Sequence, residues 1–200
     1  HFKGCVAAEL FNQQGSPRTE CNLMEIIAVS DTNIFIDLIE IGLLDEFFAL
    51  PWEIHTTDMI IHELKVIAQK KRVKDYHTRG ILRVKGYDTK EMLTLTKFHT
   101  LQRETTKVSI QDCSVWLYAM EKGYTLLTGD AKLKNAATKT GVDVHGIIYV
   151  IDKLVDMLLI SKDVAADKLE ELFLLNQRLP MSEIERRVKL WRGNKKVDSL

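Results

Sequence analysis

Four acidic residues stand where their carboxylates can meet: Asp31, Glu63, Asp112 and Asp130. Asp31 and Asp130 each follow a short apolar run that predicts a buried strand, and an open parallel sheet binds ligands beyond the carboxyl ends of its strands. Glu63 and Asp112 lie on predicted helices that flank the same edge. Such carboxylates repel each other unless cations neutralise them, and hard oxygen ligands select Mg²⁺ or Mn²⁺ over Zn²⁺. The pattern therefore predicts a divalent-metal pocket.

A pocket of this kind favours the hydrolysis of a phosphodiester bond in a nucleic acid. Two ions roughly 3.5 to 4 Å apart can activate a water, hold a bridging phosphate oxygen and stabilise the leaving oxygen during in-line displacement. We expect Asp31, Asp130 and Asp112 to bind metal directly and Glu63 to complete the site, through a water. No covalent enzyme intermediate is needed.

Each acid also has a structural explanation that the sequence leaves open. Asp31 is a good cap for the first helix, and a glutamate such as Glu63 on an amphipathic helix usually faces solvent. Asp112 completes the capping-box pattern Ser109-x-x-Asp112, and Asp130 lies in Thr-Gly-Asp, a sequence that favours turns. Capping and metal binding can coexist, and the shared position of the set favours function.

The elements that must position these acids follow an α/β pattern from Met24 onward. Short continuous apolar runs alternate with stretches of helical period, which is typical of a parallel sheet covered by helices in a three-layer α/β/α arrangement. Right-handed crossovers then favour the strand order 3-2-1-4-5. The predicted strands are Ile26 to Val29, Glu53 to Thr56, Ile81 to Val84, Tyr124 to Thr128 and Val144 to Tyr149.

Helix signals fall between these strands. Asp58 is a candidate cap for a helix, and Ser109 begins another that carries Asp112. The predicted helix after Asp58 has one apolar face, made of Ile60, Ile61, Leu64, Ile67 and Ala68. We divide the chain into an N-terminal extension at 1–23, of expression origin or native, a main domain at 24–160 and a C-terminal extension at 161–200 with one or two helices divided near Pro180.

Four segments resemble the motifs of the PIN-domain nucleases. The resemblance covers roughly Met24 to Ile160, and the order and spacing of the motifs make it specific. The segments are SDTNIFIDL (Ser30 to Leu38), IHEL (Ile61 to Leu64), SIQDCSVWLYA (Ser109 to Ala119) and LLTGDAKL (Leu126 to Leu133).

The resemblance implies a fold, a site and an activity. The family's acidic positions fall on the same four acids, and its small polar residues beside the first and last acid fall on Asn33 and Thr128, which would orient the carboxylates. It implies a five-stranded parallel sheet, Mg²⁺ or Mn²⁺, and endonucleolytic cutting of single-stranded RNA. Many small relatives are toxins paired with an antitoxin protein, and we expect a homo-oligomer, a dimer.

A basic segment lies in the middle of the chain. Between Lys65 and Arg103 there are eleven Lys or Arg residues against three acids. This excess predicts a phosphate-binding surface, and a solvated basic helix is the alternative. Its central cations are Lys70, Lys71, Arg72, Lys74 and Arg79. Three interleaved aromatics that could stack on unpaired bases are Tyr76, Tyr87 and Phe98.

The overall composition gives three further indications, from net charge, cysteine content and the length of the apolar runs. The 28 basic and 28 acidic side chains cancel, so any nucleic-acid signal must be local. Three cysteines without metal-ligand spacing argue against a disulfide framework and favour a reducing compartment, the cytoplasm. Charges interrupt every apolar run before the ~18 residues that a membrane helix needs.

Two rival functions remain in view. One is a non-catalytic nucleic-acid-binding or regulatory module that keeps the fold and the acids. The other is a phosphotransfer enzyme that works through an aspartyl phosphate. An Asp-x-Asp phosphatase needs an acid at position 33, where this chain has Asn33, and Lys132 is only a loose substitute for the lysine it requires.

Overall fold

The computed structural model describes residues 26–193. The predicted extension at 1–23 lies outside these residues. The strands are β1 (Ile26–Ser30), β2 (Trp52–Thr57), β3 (Leu82–Lys85), β4 (Thr125–Leu127) and β5 (Val144–His145). The helices are α1 (Thr32–Glu40), α2 (Leu44–Phe48), α3 (Asp58–Glu63), α4 (Ile67–Thr78), α5 (Thr89–Thr106), α6 (Ile110–Lys122), α7 (Ala131–Lys139), α8 (Ile147–Asp156), α9 (Lys162–Leu175) and α10 (Met181–Arg192).

The five strands form one parallel sheet in the order β3-β2-β1-β4-β5. This confirms the predicted α/β class and strand order. The central strand, β1, pairs with both β2 and β4: Ala28 lies opposite Ile54 on one side and Thr125 on the other. Ala28 and Val29 are fully buried, as expected where helices cover both faces of a parallel sheet. The ends of β1 and β4 therefore lie side by side.

Helices flank this sheet and close its core. Helix α6 packs against β1, β2 and β4, while α1 packs on α8. Trp116 of α6 is fully buried, and its ring meets that of Phe98 from α5 with centroids 4.9 Å apart. Burying side chains of this size dominates the hydrophobic contribution to folding. The helices and the buried side chains between them therefore hold the strands, and the carboxyl edge of the sheet, in place.

The helix predicted after Asp58 is in fact two helices. The first of them, α3, has Thr57 as its N-cap residue instead of Asp58, because the Thr57 hydroxyl accepts a hydrogen bond from the Ile60 N–H at 3.4 Å. Leu64 has an extended backbone (φ −61°, ψ 105°), which ends α3 before α4 begins at Ile67. Ile67 is 83% exposed. A buried Leu64 preserves the apolar period across the break, so periodicity alone could not reveal it.

The last strand is shorter than predicted. It covers only Val144–His145, and Gly146 is the N-cap residue of α8, which takes up the rest of the apolar run. A short apolar run does not distinguish a strand from a buried helix.

No helix within the described part of the chain is long and apolar enough to span a membrane.

Two further helices follow α8, divided at Pro180 as predicted. Helix α10 packs along α9, and Arg187 of α10 forms an ion pair with Asp152 of α8 at 2.8 Å. Arg187 also contacts Glu183 one turn earlier at 2.5 Å. The α9–α10 hairpin is therefore joined to the main body by a charged contact as well as by packing.

Candidate active site

Asp31 is the innermost of the four predicted acids. It directly follows β1, its backbone N–H donates to the Leu127 carbonyl of β4 at 3.0 Å, and its side chain is the N-cap of α1. Asp31 Oδ1 accepts from the Ile34 N–H at 3.2 Å. Only 1% of the residue is exposed. The carboxylate is thus held at the junction of two strands and a helix.

Thr128 connects Asp31 with Asp130. The Thr128 hydroxyl donates to Asp31 Oδ2 and accepts from the Asp130 N–H at 3.0 Å. Its own N–H donates to the His145 carbonyl of β5 at 2.9 Å. The end of β4 therefore fixes the orientation of the Asp31 carboxylate.

Burial raises the pKa of Asp31 to about 7 from its ordinary 3.8. The hydrogen bonds from Thr128 and from the Ile34 N–H lower this pKa, and the nearby Asp112 carboxylate raises it. A buried carboxylate beside a like charge is costly to ionise. A cation in this pocket would offset both effects.

Glu63 and Asp112 line one cavity with Asp31, of about 260 Å³. Glu63 is the last residue of α3, and its Oε2 accepts a hydrogen bond from the Thr32 hydroxyl. Asp112 Oδ2 accepts from the N–H of Ser109 at 3.0 Å and from its hydroxyl at 2.8 Å, which completes the predicted capping box. Within residues 26–193, no donor reaches the second oxygen of either acid.

Asp130 lies beside this cavity and does not line it. Its side chain is the N-cap of α7, where Oδ1 accepts from the Leu133 N–H at 2.8 Å. Asn33 is exposed at the rim of the cavity and packs against Gly129, where a Cβ would come within 3.2 Å of Asn33 Cβ. The structure thus brings three of the four acids together and sets the fourth next to them.

The donor set fits a hard divalent cation in chemistry. Asp31, Glu63 and Asp112 offer carboxylate oxygens, which Mg²⁺ and Mn²⁺ prefer. Among the described residues, however, no three Asp, Glu, His or Cys side chains lie close enough together to hold an ion as they stand. Binding would therefore require side-chain rotation or bridging waters.

The basic segment begins at the mouth of the cavity. Lys65, Val66 and Gln69 line the cavity, and α4 continues from there with its cations on the surface. Lys70 Nζ donates to the His62 carbonyl at 3.3 Å, and Arg72 lies 3.5 Å from Asp45. The exposed cations of α4 and its end are Lys71, Arg72, Lys74 and Arg79.

The three aromatics of the basic segment all contact other parts of the protein. Tyr76 stacks on Phe48 with ring centroids 3.8 Å apart, and Tyr87 donates to the Ser114 carbonyl at 2.6 Å. Phe98 packs against Trp116, as described above. Tyr76 is buried, so the expectation of base stacking by this residue is wrong; Tyr87 and Phe98 are partly exposed, and base stacking by these two stays a prediction.

Asp37 is a buried acid that the sequence analysis did not single out. It lies on α1 one turn after Asn33, is 7% exposed, and its Oδ2 has no hydrogen-bond partner among residues 26–193. Burial raises its pKa to about 6. A charged residue within the apolar run IFIDLI was the available signal.

The chain was compared with curated proteins, with solved structures and with models of protein families. No curated protein matches the chain. Among solved structures it is similar to PAE2754 from Pyrobaculum aerophilum, at 14% identity and a TM-score of 0.47, over 66% of this chain and 99% of that one. It is also similar to a PilT N-terminus domain protein, SSO1118, from the hyperthermophilic archaeon Sulfolobus solfataricus P2, at 13% identity and a TM-score of 0.38, over 65% and 94%. A family model described as PIN domain matches residues 27–192, and the chain therefore belongs to the PIN domain family.

Proposed function

We propose that this protein is a divalent-metal-dependent endoribonuclease that hydrolyses single-stranded RNA. The observation that carries the proposal is the cavity shared by Asp31, Glu63 and Asp112 at the carboxyl edge of the parallel sheet. Membership of the PIN domain family, whose members are generally nucleases, supports it. An acidic pocket at a strand edge suits chemistry at a phosphate that needs cations to approach.

The chain's own residues would have distinct tasks in this reaction. Asp31, Glu63 and Asp112 would hold the metal, and Asp130 would join them through the oxygen that its helix cap leaves unused. The Thr128 hydroxyl would keep the Asp31 carboxylate oriented. When bound, Mg²⁺ or Mn²⁺ would supply an activated water and stabilisation of the leaving oxygen.

Asn33 and the basic helix α4 would guide the RNA. Asn33 stands at the rim of the cavity, and α4 starts beside it. Lys70, Lys71, Arg72, Lys74 and Arg79 would bind the backbone phosphates. Because such contacts release counterions, binding should weaken as the salt concentration rises.

Cleavage of an unstructured, end-labelled RNA by the purified protein tests the proposal. We expect cutting with Mn²⁺ or Mg²⁺, no cutting with EDTA, and a loss of at least about 10³-fold in Asp31→Asn, since removing a metal ligand removes the charge stabilisation that the reaction needs. Asp75→Asn is the matched control, an exposed acid on α4. Equal cleavage by Asp31→Asn would contradict the assignment of the site.

One observation favours a second function, a non-catalytic nucleic-acid-binding or regulatory module. The carboxylates of the described residues are not gathered around a common point. In that case the protein would bind RNA without cutting it under any metal condition, and Asp31→Asn would bind RNA as well as the wild type does. The same assay, run with a gel-shift measurement, separates the two functions.

We extend the proposal to a cytoplasmic toxin that is neutralised by an antitoxin and acts as a dimer. Exposed apolar residues on the C-terminal hairpin support a protein partner: Leu174 and Met181 line a groove of about 700 Å³ between α9 and α10, and Leu190 is exposed on α10. Induced expression should then arrest growth, and expression of Asp31→Asn should not. Light scattering would measure the oligomeric state.

A further inference from the structure

A second cavity, of about 600 Å³, opens next to the acidic one. The two cavities share Asn33 and Ile36, so they lie on either side of the first two turns of α1. Pockets that hold small ligands typically have volumes of about 300 to 1,000 Å³. The second cavity is therefore large enough for one nucleotide of a chain that passes through the first.

Asp37 lies in the wall of this cavity and has a buried carboxylate oxygen without a hydrogen-bond partner among the described residues. The residue lines the cavity and is more than nine-tenths buried, yet Oδ2 has no partner in the described part of the chain. Oδ1 has only a long contact, 3.4 Å, from the Asn176 side-chain amide. A buried carboxylate oxygen without a donor costs free energy, so a ligand that brings N–H groups would stabilise it.

The remaining walls suit a flat heterocycle with polar edges. Ile36 and Leu172 supply apolar surface, and the connection between α9 and α10 supplies Asn176 and Arg178. The charge of Arg178 lowers the pKa of Asp37, which burial raises. RNA-binding modules and base deaminases commonly read an unstacked base by packing it against aromatic or apolar side chains and forming hydrogen bonds to its Watson–Crick edge.

We propose that this cavity is a base-specificity site that receives a guanine adjacent to the scissile phosphate. Among the four RNA bases, guanine alone presents two neighbouring donors, N1–H and N2–H, which match the two oxygens of one carboxylate. Because Oδ2 of Asp37 is buried, this contact requires a rotation of the carboxylate that turns Oδ2 toward the cavity. Asn176 and Arg178 carry the donors for its O6. This inference rests on the proposed function, because only a nuclease has a scissile phosphate. It adds a base preference to the proposed RNA cleavage.

Mapping of cut sites tests this preference. With Mn²⁺ and unstructured RNAs that differ in one base, we expect cuts beside guanine, and about tenfold slower cutting where inosine, which lacks the N2 amine, replaces that guanine. Asp37→Asn should remove most of the preference, roughly 10- to 100-fold, because a bidentate contact gives ~1 to 3 kcal/mol of discrimination. Cutting at other bases should change less than about twofold.

Glu40→Gln is the matched control, since Glu40 lies on the same helix, lines the same cavity and loses the same charge, but is exposed. It should keep the guanine preference. If Asp37→Asn does not fold, Asn176→Ala replaces it as the test. Guanine preference that survives both Asp37→Asn and Asn176→Ala overturns the proposal, as does a preference lost equally in Glu40→Gln.

A binding measurement separates this inference from the proposed function. Calorimetry on Asp31→Asn, with GMP, IMP and AMP as probes, should show GMP binding at least about fivefold tighter than either other nucleotide. Selective GMP binding without any RNA cleavage would leave the cavity assigned and refute the nuclease. Equal binding of all three nucleotides refutes the guanine site, as does tighter binding of N-acetyl-arginine methylamide, which would indicate a basic side chain of a protein partner instead.

Discussion

The ends of strands β1 and β4 have the same local design and different environments. The strands are parallel neighbours, and each is followed by an aspartate that is the N-cap of the next helix: Asp31 for α1 and Asp130 for α7. In both, Oδ1 accepts from a backbone N–H three residues later. Judged by these contacts alone, the two acids are equivalent.

Their surroundings make them chemically different. Asp31 is buried and lines the acidic cavity together with Asp112. Asp130 is partly exposed and does not line that cavity. Burial and the Asp112 charge raise the pKa of Asp31 to about 7. A capping motif thus fixes where a carboxylate lies, and the burial of that position sets how strongly it holds a proton and how much a cation would stabilise it.

The largest expected effect is a gain in stability for metal-free Asp31→Asn. The folded-state pKa of Asp31, about 7, lies above its ordinary 3.8, so the unfolded chain releases this proton first as pH rises. The wild type therefore loses stability between about pH 4 and pH 7, and above that range the loss is about 4 kcal/mol, at about 1.4 kcal/mol per pKa unit. Asparagine is as good an N-cap and carries no charge.

Urea unfolding with EDTA at pH 8 and at pH 3.5 measures this gain. Asp31→Asn should be more stable than the wild type at pH 8 and nearly equal to it at pH 3.5. Saturating Mn²⁺ should narrow the difference at pH 8 by stabilising only the wild type, by about 2.7 kcal/mol at a hundredfold excess over Kd. If the wild type were as stable as the variant at pH 8 without metal, burial of the ionised Asp31 carboxylate would not lower the free energy of unfolding.

Much of this arrangement follows from local rules that sequence reveals. The apolar runs before Asp31 and Asp130 are buried strands, and right-handed crossovers leave few strand orders, so the neighbourhood of these two acids was predictable. The Ser109–Asp112 capping box needs only four residues of sequence and is present as predicted. Such features depend on contacts close along the chain or on topology.

What could not be predicted depends on packing between distant segments. Tyr76 lies in the basic segment, yet it stacks on Phe48 of another helix and is buried there. Asp37 becomes a cavity wall only because the α9–α10 connection, more than a hundred residues later, brings Asn176 to it. For Tyr76 and Asp37, the local pattern of the sequence does not reveal which distant residue packs against the side chain.

The second prediction concerns the link between the two strand ends. Thr128→Val removes the hydroxyl that donates to Asp31 Oδ2 and accepts from the Asp130 N–H. This hydrogen bond lowers the pKa of Asp31, so its loss should raise that pKa further. We expect about 10- to 100-fold slower cleavage at pH 7 and an acidic limb of the pH–rate profile displaced to higher pH.

Thr125→Val is the control for that change, because Thr125 begins β4, the strand that Thr128 follows, and its hydroxyl donates to Asp143 Oδ2 at 2.9 Å, away from the cavity. It should leave both the rate and the pH profile within about twofold of the wild type. In metal-free protein, carbon NMR can follow the Asp31 carboxyl directly. A rate loss in Thr128→Val without any displacement of the Asp31 titration would mean that the hydroxyl acts only through folding.

The smallest effect separates capping from charge at Asp130. Asp130→Ala removes the acceptor for the Leu133 N–H at the start of α7, which should cost about 1 kcal/mol of folding free energy. Asp130→Asn keeps an acceptor at the same place, so its metal-free stability at pH 8 should stay within about 0.5 kcal/mol of the wild type, since the two residues are comparable caps. Urea unfolding of both variants beside Asp31→Asn measures the contrast. If Asp130→Asn gained as much stability as Asp31→Asn, the Asp130 carboxylate would share the buried charge, and the two strand ends would be one electrostatic unit.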